Sequence, residues 1–164
     1  MSKKQKQKKK QAAVTDKKKV LHVGCGPRNT RNLHPKFRTP EWQEVRLDID
    51  TGVEPDIVAD MTDMSMVEEG SMDAVFSSHN IEHLYIHRVP VALGEFFRVI
   101  KPGGFLLIAL PDMQTVARHV ATGNLEGKLY DAPAGPITAL DIMYGYTNAL
   151  ARGNEFMAHK TAFT

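Results

Sequence analysis

The stretch MDAVFSSHNIEHLYIHRVPVALGEFFRVIKPGGFLLIAL, residues 72–110, decides the fold. Its first seven residues, Met72 to Ser78, are β-prone. Its last six, Phe105 to Leu110, are apolar throughout, as a strand buried on both faces requires. Between them Val89, Leu93, Phe96, Phe97 and Ile100 fall on one face of a 3.6-residue period. Lys101-Pro102-Gly103-Gly104 predicts the helix stop: a cation at the negative end of the dipole, a breaker, then glycines. A strand, a helix and a buried strand in that order make a parallel βαβ unit.

Three more strands precede this unit, and each ends in residues suited to holding a ligand. Val20-Leu21-His22-Val23 runs into Gly24-Cys25-Gly26-Pro27, where glycine lets a ligand approach the backbone closely. Glu44 to Asp50 alternates and carries Asp48 and Asp50 at its end, where an acid can accept both hydroxyls of a ribose. Ile57 to Asp60 is short and ends in a carboxylate able to accept from an exocyclic amine. Ser77, Ser78 and His79 end the fourth strand. In an open α/β sheet such ends line one crevice at the topological switch point.

Residues 27–43 hold three prolines and no amphipathic period, which predicts a loop with one turn at Pro40-Glu41-Trp42, capped by Thr39. Past the fifth strand, helices are predicted over Asp112–Thr122, with Asp112 as N-cap, and over Ile137–Arg152, closed by Gly153. Asp60 is also a candidate N-cap for residues 61–69. There are no internal repeats.

At 164 residues the chain is one domain. With 42% apolar and 24% charged residues it is neither fibrous nor wholly disordered. Six residues is its longest apolar run, against roughly twenty for a membrane-spanning helix. No secretory pattern follows the first lysines, and the lone Cys25 excludes an internal disulfide; both fit a reducing cytoplasm. Residues 1–19 carry nine lysines against Asp16, a net +8, which leaves −6 on residues 20–164. The tail reads as a disordered, solvating arm. An acidic body argues against a nucleic-acid footprint except through that tail, and the tail lacks arginine and aromatic residues for RNA.

Taken in order, VLHVGCGP, LDID, VADMTDM, MDAVFSSHNIEHLY and EFFRVIKPGGFLLIALPD resemble the motif series of class I S-adenosylmethionine-dependent methyltransferases, in particular the "type 11" domains. The resemblance covers roughly residues 19–112. It implies a Rossmann-like, mostly parallel sheet with flanking helices and S-adenosyl-L-methionine as cofactor. By position, Gly24, Cys25 and Gly26 would border the methionine moiety. Asp48 would take the ribose hydroxyls beside Ile49, with Asp50 the second choice. Asp60 and Met61 would take adenine, and Ser77 and Ser78 would lie near the sulfonium. A cofactor without phosphate is consistent with a glycine turn that no helix follows. The chain departs from the family at His22, where an acid is usual, and at Arg28, where a third glycine is common. The family's C-terminal antiparallel strand pair is expected to be missing, with Ala158–Thr164 as the approach to it.

Methyl transfer to an oxygen or nitrogen acceptor needs a base. His79 is the first choice and Asp112 the second, with His119 and His159 on the later segment. Residues 113–164 are expected to form a substrate cover, and Tyr130, Tyr144, Tyr146 and Phe156 suit a small organic acceptor. Two alternatives stand beside an active enzyme. One is a cofactor-binding scaffold without turnover. The other is a zinc hydrolase, because His79-Asn80-Ile81-Glu82-His83 matches H-x-x-E-H, which on a helix puts both histidines on one face. In the cofactor reading no residue is assigned to a metal, and Glu82 and His83 are a surface pair. Oligomeric state is left open.

Overall fold

The computed structural model describes residues 16–132 and 134–164. Strands β1 (Lys18–Val23), β2 (Trp42–Asp48), β3 (Ile57–Val58), β4 (Met72–Ser78) and β5 (Ile100–Ala109) form one sheet in the order β3-β2-β1-β4-β5. All its pairings are parallel. Chain order reverses between β1 and β4, which opens a crevice beyond their carboxyl ends. This is the Rossmann-like sheet expected from the motifs.

Alternation along β1 sorts the core into two layers. Leu21 and Val23 point to one side, among Met64, Val67, Val75, Phe96 and Val99. Val20 points to the other, among Leu33, Phe37, Ala74 and Phe76. Helix α1 (Val89–Val99) covers the first side. A loop does the helix's work on the second. Phe37, in a single turn over Pro35–Phe37 capped by the His34 side chain, packs edge to face on Trp42, tilted on Phe76 and stacked on Phe105 at ring separations of 4.9, 5.9 and 5.9 Å. The loop over 27–43 is therefore as expected. Its helical turn lies at residues 35–37, and Thr39–Trp42 closes by a backbone bond without a side-chain cap.

The helix between β4 and β5 is where the pattern put it, but rotated. Its buried stripe is Val89, Ala92, Phe96 and Val99, while Leu93 is exposed and Phe97 is 83% exposed. Two apolar stripes overlap on this helix, and periodicity alone does not say which one the sheet takes. Strand β5 begins as soon as α1 ends, so Lys101–Gly104 lies inside the strand, at a shift of register against β4. It is an edge strand and only half-buried, not buried on both faces.

Helix α2 (Met113–Ala121) has Asp112 as its N-cap, accepting from the Gln114 amide. The single helix expected over 137–152 is instead strand β7 (Gly135–Thr138), α3 (Ala139–Tyr144) and α4 (Thr147–Leu150). The break is Gly145, at φ +104°, where a Cβ would overlap the Met157 carbonyl. An antiparallel pair, not expected in this chain, is present: β6 (Lys128–Ala132) with β7. It forms a separate two-stranded sheet and does not extend β5. Lys18 and Lys19 belong to β1; residues 1–15 of the predicted tail lie outside the described residues. No helix among the described residues is long and apolar enough to cross a membrane.

Candidate functional site

A crevice of about 540 Å³ opens at the carboxyl ends of β1, β2 and β4, within the range of small-molecule sites. Its first wall is the Gly24–Gly26 turn with the segment after β2. Gly24 has φ +62°, and a Cβ there would overlap the Asn80 carboxamide. Asn80 donates to the Val23 carbonyl at 2.7 Å and to the Ser78 carbonyl at 3.1 Å, which ties the ends of β1 and β4 together. Asp48 braces the turn: one carboxylate oxygen accepts from the Gly26 amide at 2.9 Å, the other from the Asp50 amide at 3.0 Å.

Behind this wall Arg46 is 3% exposed. Its guanidinium donates to the carbonyls of Gly26, Val53 and Glu54 at 2.5, 3.1 and 2.6 Å. One buried cation thus fixes the glycine turn and the loop after β2 relative to each other. Asp60 accepts from the amide and hydroxyl of Thr62 at 2.8 Å each, and Arg88 bonds the same hydroxyl. Residues 61–69 form turns, so Asp60 caps a turn and not a helix.

The second wall is Ser78, His79, Asn80, His83, Leu84, Tyr85 and Arg88, closed by Asn154, Phe156, Met157 and Lys160 from the C-terminal segment. His79 adopts φ +54°, rare for a residue with a side chain, and its Nδ1 lies 3.4 Å from Glu82 Oε1. That carboxylate holds the His79 imidazole above the usual histidine range, against the opposing effect of burial. Glu82 itself is 1% exposed, and neither carboxylate oxygen accepts a hydrogen bond from any described residue. An unsatisfied buried group of this kind costs about 1–3 kcal/mol, more when charged.

Of the residues singled out in the sequence, Gly24, Gly26, Asp48, Ile49, Asp50, Asp60, Met61, Ser78 and His79 line this crevice. Ser77, Cys25 and Asp112 do not. Ser77 is fully buried under the turn. Cys25 is buried too, and burial pushes its thiol up to about 11, so it is an inert packing residue. Asp112 is occupied on α2, where Thr115 donates to its second oxygen at 2.6 Å. His22 faces away from the crevice, against Phe76 and with Nδ1 2.6 Å from Glu44 Oε1. Arg28 is exposed, 4.0 Å from Asp56. Of the aromatic residues proposed as a lining, Phe156 is at the crevice and Tyr130, Tyr144 and Tyr146 are not. The helix needed for a zinc-hydrolase H-x-x-E-H is absent: His79 stands at a strand end, and Ile81–His83 is a single tight turn. Sequence reasoning missed Asn80, Tyr85, Arg88 and Lys160. The asparagine beside a strand-end histidine was the one available signal.

Residues 21–108 match the family model described as a methyltransferase domain. No curated protein matches the chain. Among solved structures, the PH0226 protein of Pyrococcus horikoshii OT3 is 17% identical, with a TM-score of 0.51 over 76% of this chain and 67% of that one. A putative zinc-dependent alcohol dehydrogenase of Rhodobacter sphaeroides is 14% identical, with a TM-score of 0.52 over 90% of this chain and 68% of that one. A SAM-dependent methyltransferase of Archaeoglobus fulgidus is 19% identical, with a TM-score of 0.46 over 56% of this chain. This chain covers 43% of that structure's length. At 17% and 14% identity the Pyrococcus and Rhodobacter structures show a shared fold alone. The match over residues 21–108, more than half of the chain, spans β2, β3 and β4 in full, β1 from Leu21 and β5 as far as Ile108, and on it the chain belongs to the methyltransferase domain family, with the class I Rossmann-like fold.

Proposed function

We propose that this domain binds S-adenosyl-L-methionine in the crevice and transfers its methyl group to an oxygen or nitrogen of a small acceptor in the cytoplasm. One observation carries the reading. The Gly24–Gly26 turn, braced by Asp48 and Arg46, opens onto the crevice and runs into irregular chain over residues 27–34. A dinucleotide needs a helix N-terminus there for its pyrophosphate; a cofactor without phosphate does not.

The residues fit such a cofactor. Asp48 stands at the end of β2 for the ribose hydroxyls, with Ile49 presenting an apolar surface beside it. Asp60 and the Met61 backbone offer acceptors and donors for adenine. The Gly24–Gly26 backbone and Ser78 border the methionine end. When bound, the cofactor supplies an electrophilic methyl group on a good leaving group. His79, at the end of β4, stands to take the proton released as the acceptor atom bonds to carbon and the carbon–sulfur bond breaks. The walls supply proximity and exclude water from the line of attack.

The test is equilibrium dialysis with labelled S-adenosylmethionine, followed by assay of S-adenosylhomocysteine release with a panel of phenols, hydroxy acids and amines. Micromolar binding and acceptor-dependent release are expected. A folded protein that binds neither cofactor form refutes the proposal.

A further inference from the structure

Three side chains at the back of the second wall remain unexplained by methyl transfer. Glu82 is buried and neither oxygen accepts a hydrogen bond from a described residue; its one charged neighbour among them is the half-exposed His79, 3.4 Å away. His83 follows it, and His159 arrives from the far end of the chain. The Glu82 carbonyl accepts from the Lys160 and Thr161 amides at 2.7 and 3.2 Å, so backbone pairing brings His159 to this place. The rings of His83 and His159 meet edge to face at 4.8 Å. One ligand-capable atom from each of the three residues lies within 4.8 Å of the others.

Both imidazoles are anchored through Nδ1 on a backbone carbonyl. Nδ1 of His83 is 3.1 Å from the Ala158 carbonyl, and Nδ1 of His159 is 2.6 Å from the Ile142 carbonyl. A carbonyl only accepts, so each Nδ1 carries the proton and each Nε2 keeps its lone pair. Anchoring one ring nitrogen on a backbone carbonyl is how proteins fix the tautomer of a metal-bound histidine. Two neutral imidazoles and one carboxylate form the His₂Glu donor set that suits zinc and its first-row neighbours. Ligands on tetrahedral zinc sit about 3.3 Å apart, so atoms that lie within 4.8 Å need to close by at most about 1.5 Å. A dication there would also give the buried carboxylate the partner that no hydrogen bond supplies.

We propose that Glu82, His83 and His159 bind a divalent transition-metal ion, zinc or a close neighbour. The ion sits where the crevice wall, which His83 lines, meets the small pocket lined by Glu82 and His159. The site differs from a helical H-x-x-E-H arrangement: His79 is not among its ligands, and the third ligand comes from the C-terminal segment. It does not depend on the identity of the cofactor.

The test is titration of chelator-treated full-length protein with Zn²⁺ against a chromophoric competitor, and with Co²⁺ by visible absorption. Wild type should bind one equivalent, with Co²⁺ giving the intense d–d bands of a four- or five-coordinate nitrogen-containing site. Glu82→Gln and His159→Asn should each weaken binding at least tenfold, while His119→Asn on α2 should not. Circular dichroism and S-adenosylhomocysteine binding report separately on folding and on the cofactor site. Wild-type protein that is folded and takes up no stoichiometric metal overturns the proposal. So do variants that fold and bind zinc as tightly as wild type, or Co²⁺ bands of a six-coordinate aqua-like ion.

Discussion

The two walls of the crevice are built on opposite principles. In the first, Asp48 and Arg46 spend their hydrogen bonds on the chain itself, and the turn they hold is fixed before any ligand arrives. In the second, Glu82 has no hydrogen-bond partner among the described residues, and His79 sits in a left-handed conformation beside it. A satisfied wall is a preorganised binding surface. An unsatisfied one stores a cost that a ligand can relieve. The contrast teaches where selectivity for the shared part of the reaction ends and the chemistry particular to this chain begins.

Substitutions should separate the walls by the sign of their effect on stability. Gly24→Ala forces a Cβ into a left-handed position and onto Asn80, and should cost about 3 kcal/mol in chemical denaturation, strain and lost Asn80 bonds together. Arg46→Met leaves three carbonyls without their donor and should cost about 2 kcal/mol. Across the crevice, Glu82→Gln removes a buried carboxylate that no hydrogen bond satisfies; its 3.4 Å pair with the exposed His79 offsets little of that cost, so the stability of metal-free protein should rise by about 1 kcal/mol. A destabilised Glu82→Gln would erase the contrast.

The smallest effect concerns pH and lies outside both walls. Burial holds the His22 imidazole below its usual range, although Glu44 opposes this. The unfolded chain therefore binds that proton more readily. The stability tied to His22 is complete above about pH 6.5 and shrinks as pH falls. His22→Phe should flatten the acid limb of the stability profile, measured by denaturation at successive pH values. An unchanged limb would show that other groups set it.

The sheet was legible because turn residues separate its strands, although Lys101–Gly104 falls inside β5, and the first wall because its motifs are contiguous: a glycine turn here, an acid at a strand end there. Met72–Ser78 appears at the predicted boundaries. What was illegible depended on tertiary choices. Phe96 and Phe97 are equally apolar, and only the sheet decides that Phe96 is buried. The helix predicted over 137–152 has good helical periodicity, but Gly145 must pass the Met157 backbone, and the chain breaks there. Asp112 reads in the sequence both as an N-cap and as the second-choice base; in the fold it is the cap, with its oxygens taken by the Gln114 amide and the Thr115 hydroxyl, and it does not line the crevice. Ser78, His79 and Phe156 of the second wall were legible in the sequence, but the approach of the C-terminal segment was not, because His159 reaches Glu82 through backbone bonds that leave no mark in sequence spacing.

Calorimetric titration of S-adenosylhomocysteine into wild type, Asp48→Ala and Glu82→Gln tests the division of the crevice most directly. The account predicts micromolar binding to wild type, at least a tenfold loss, about 1.4 kcal/mol, in Asp48→Ala, and unchanged binding in Glu82→Gln. Binding that survives the loss of Asp48 and fails with Glu82→Gln would contradict it.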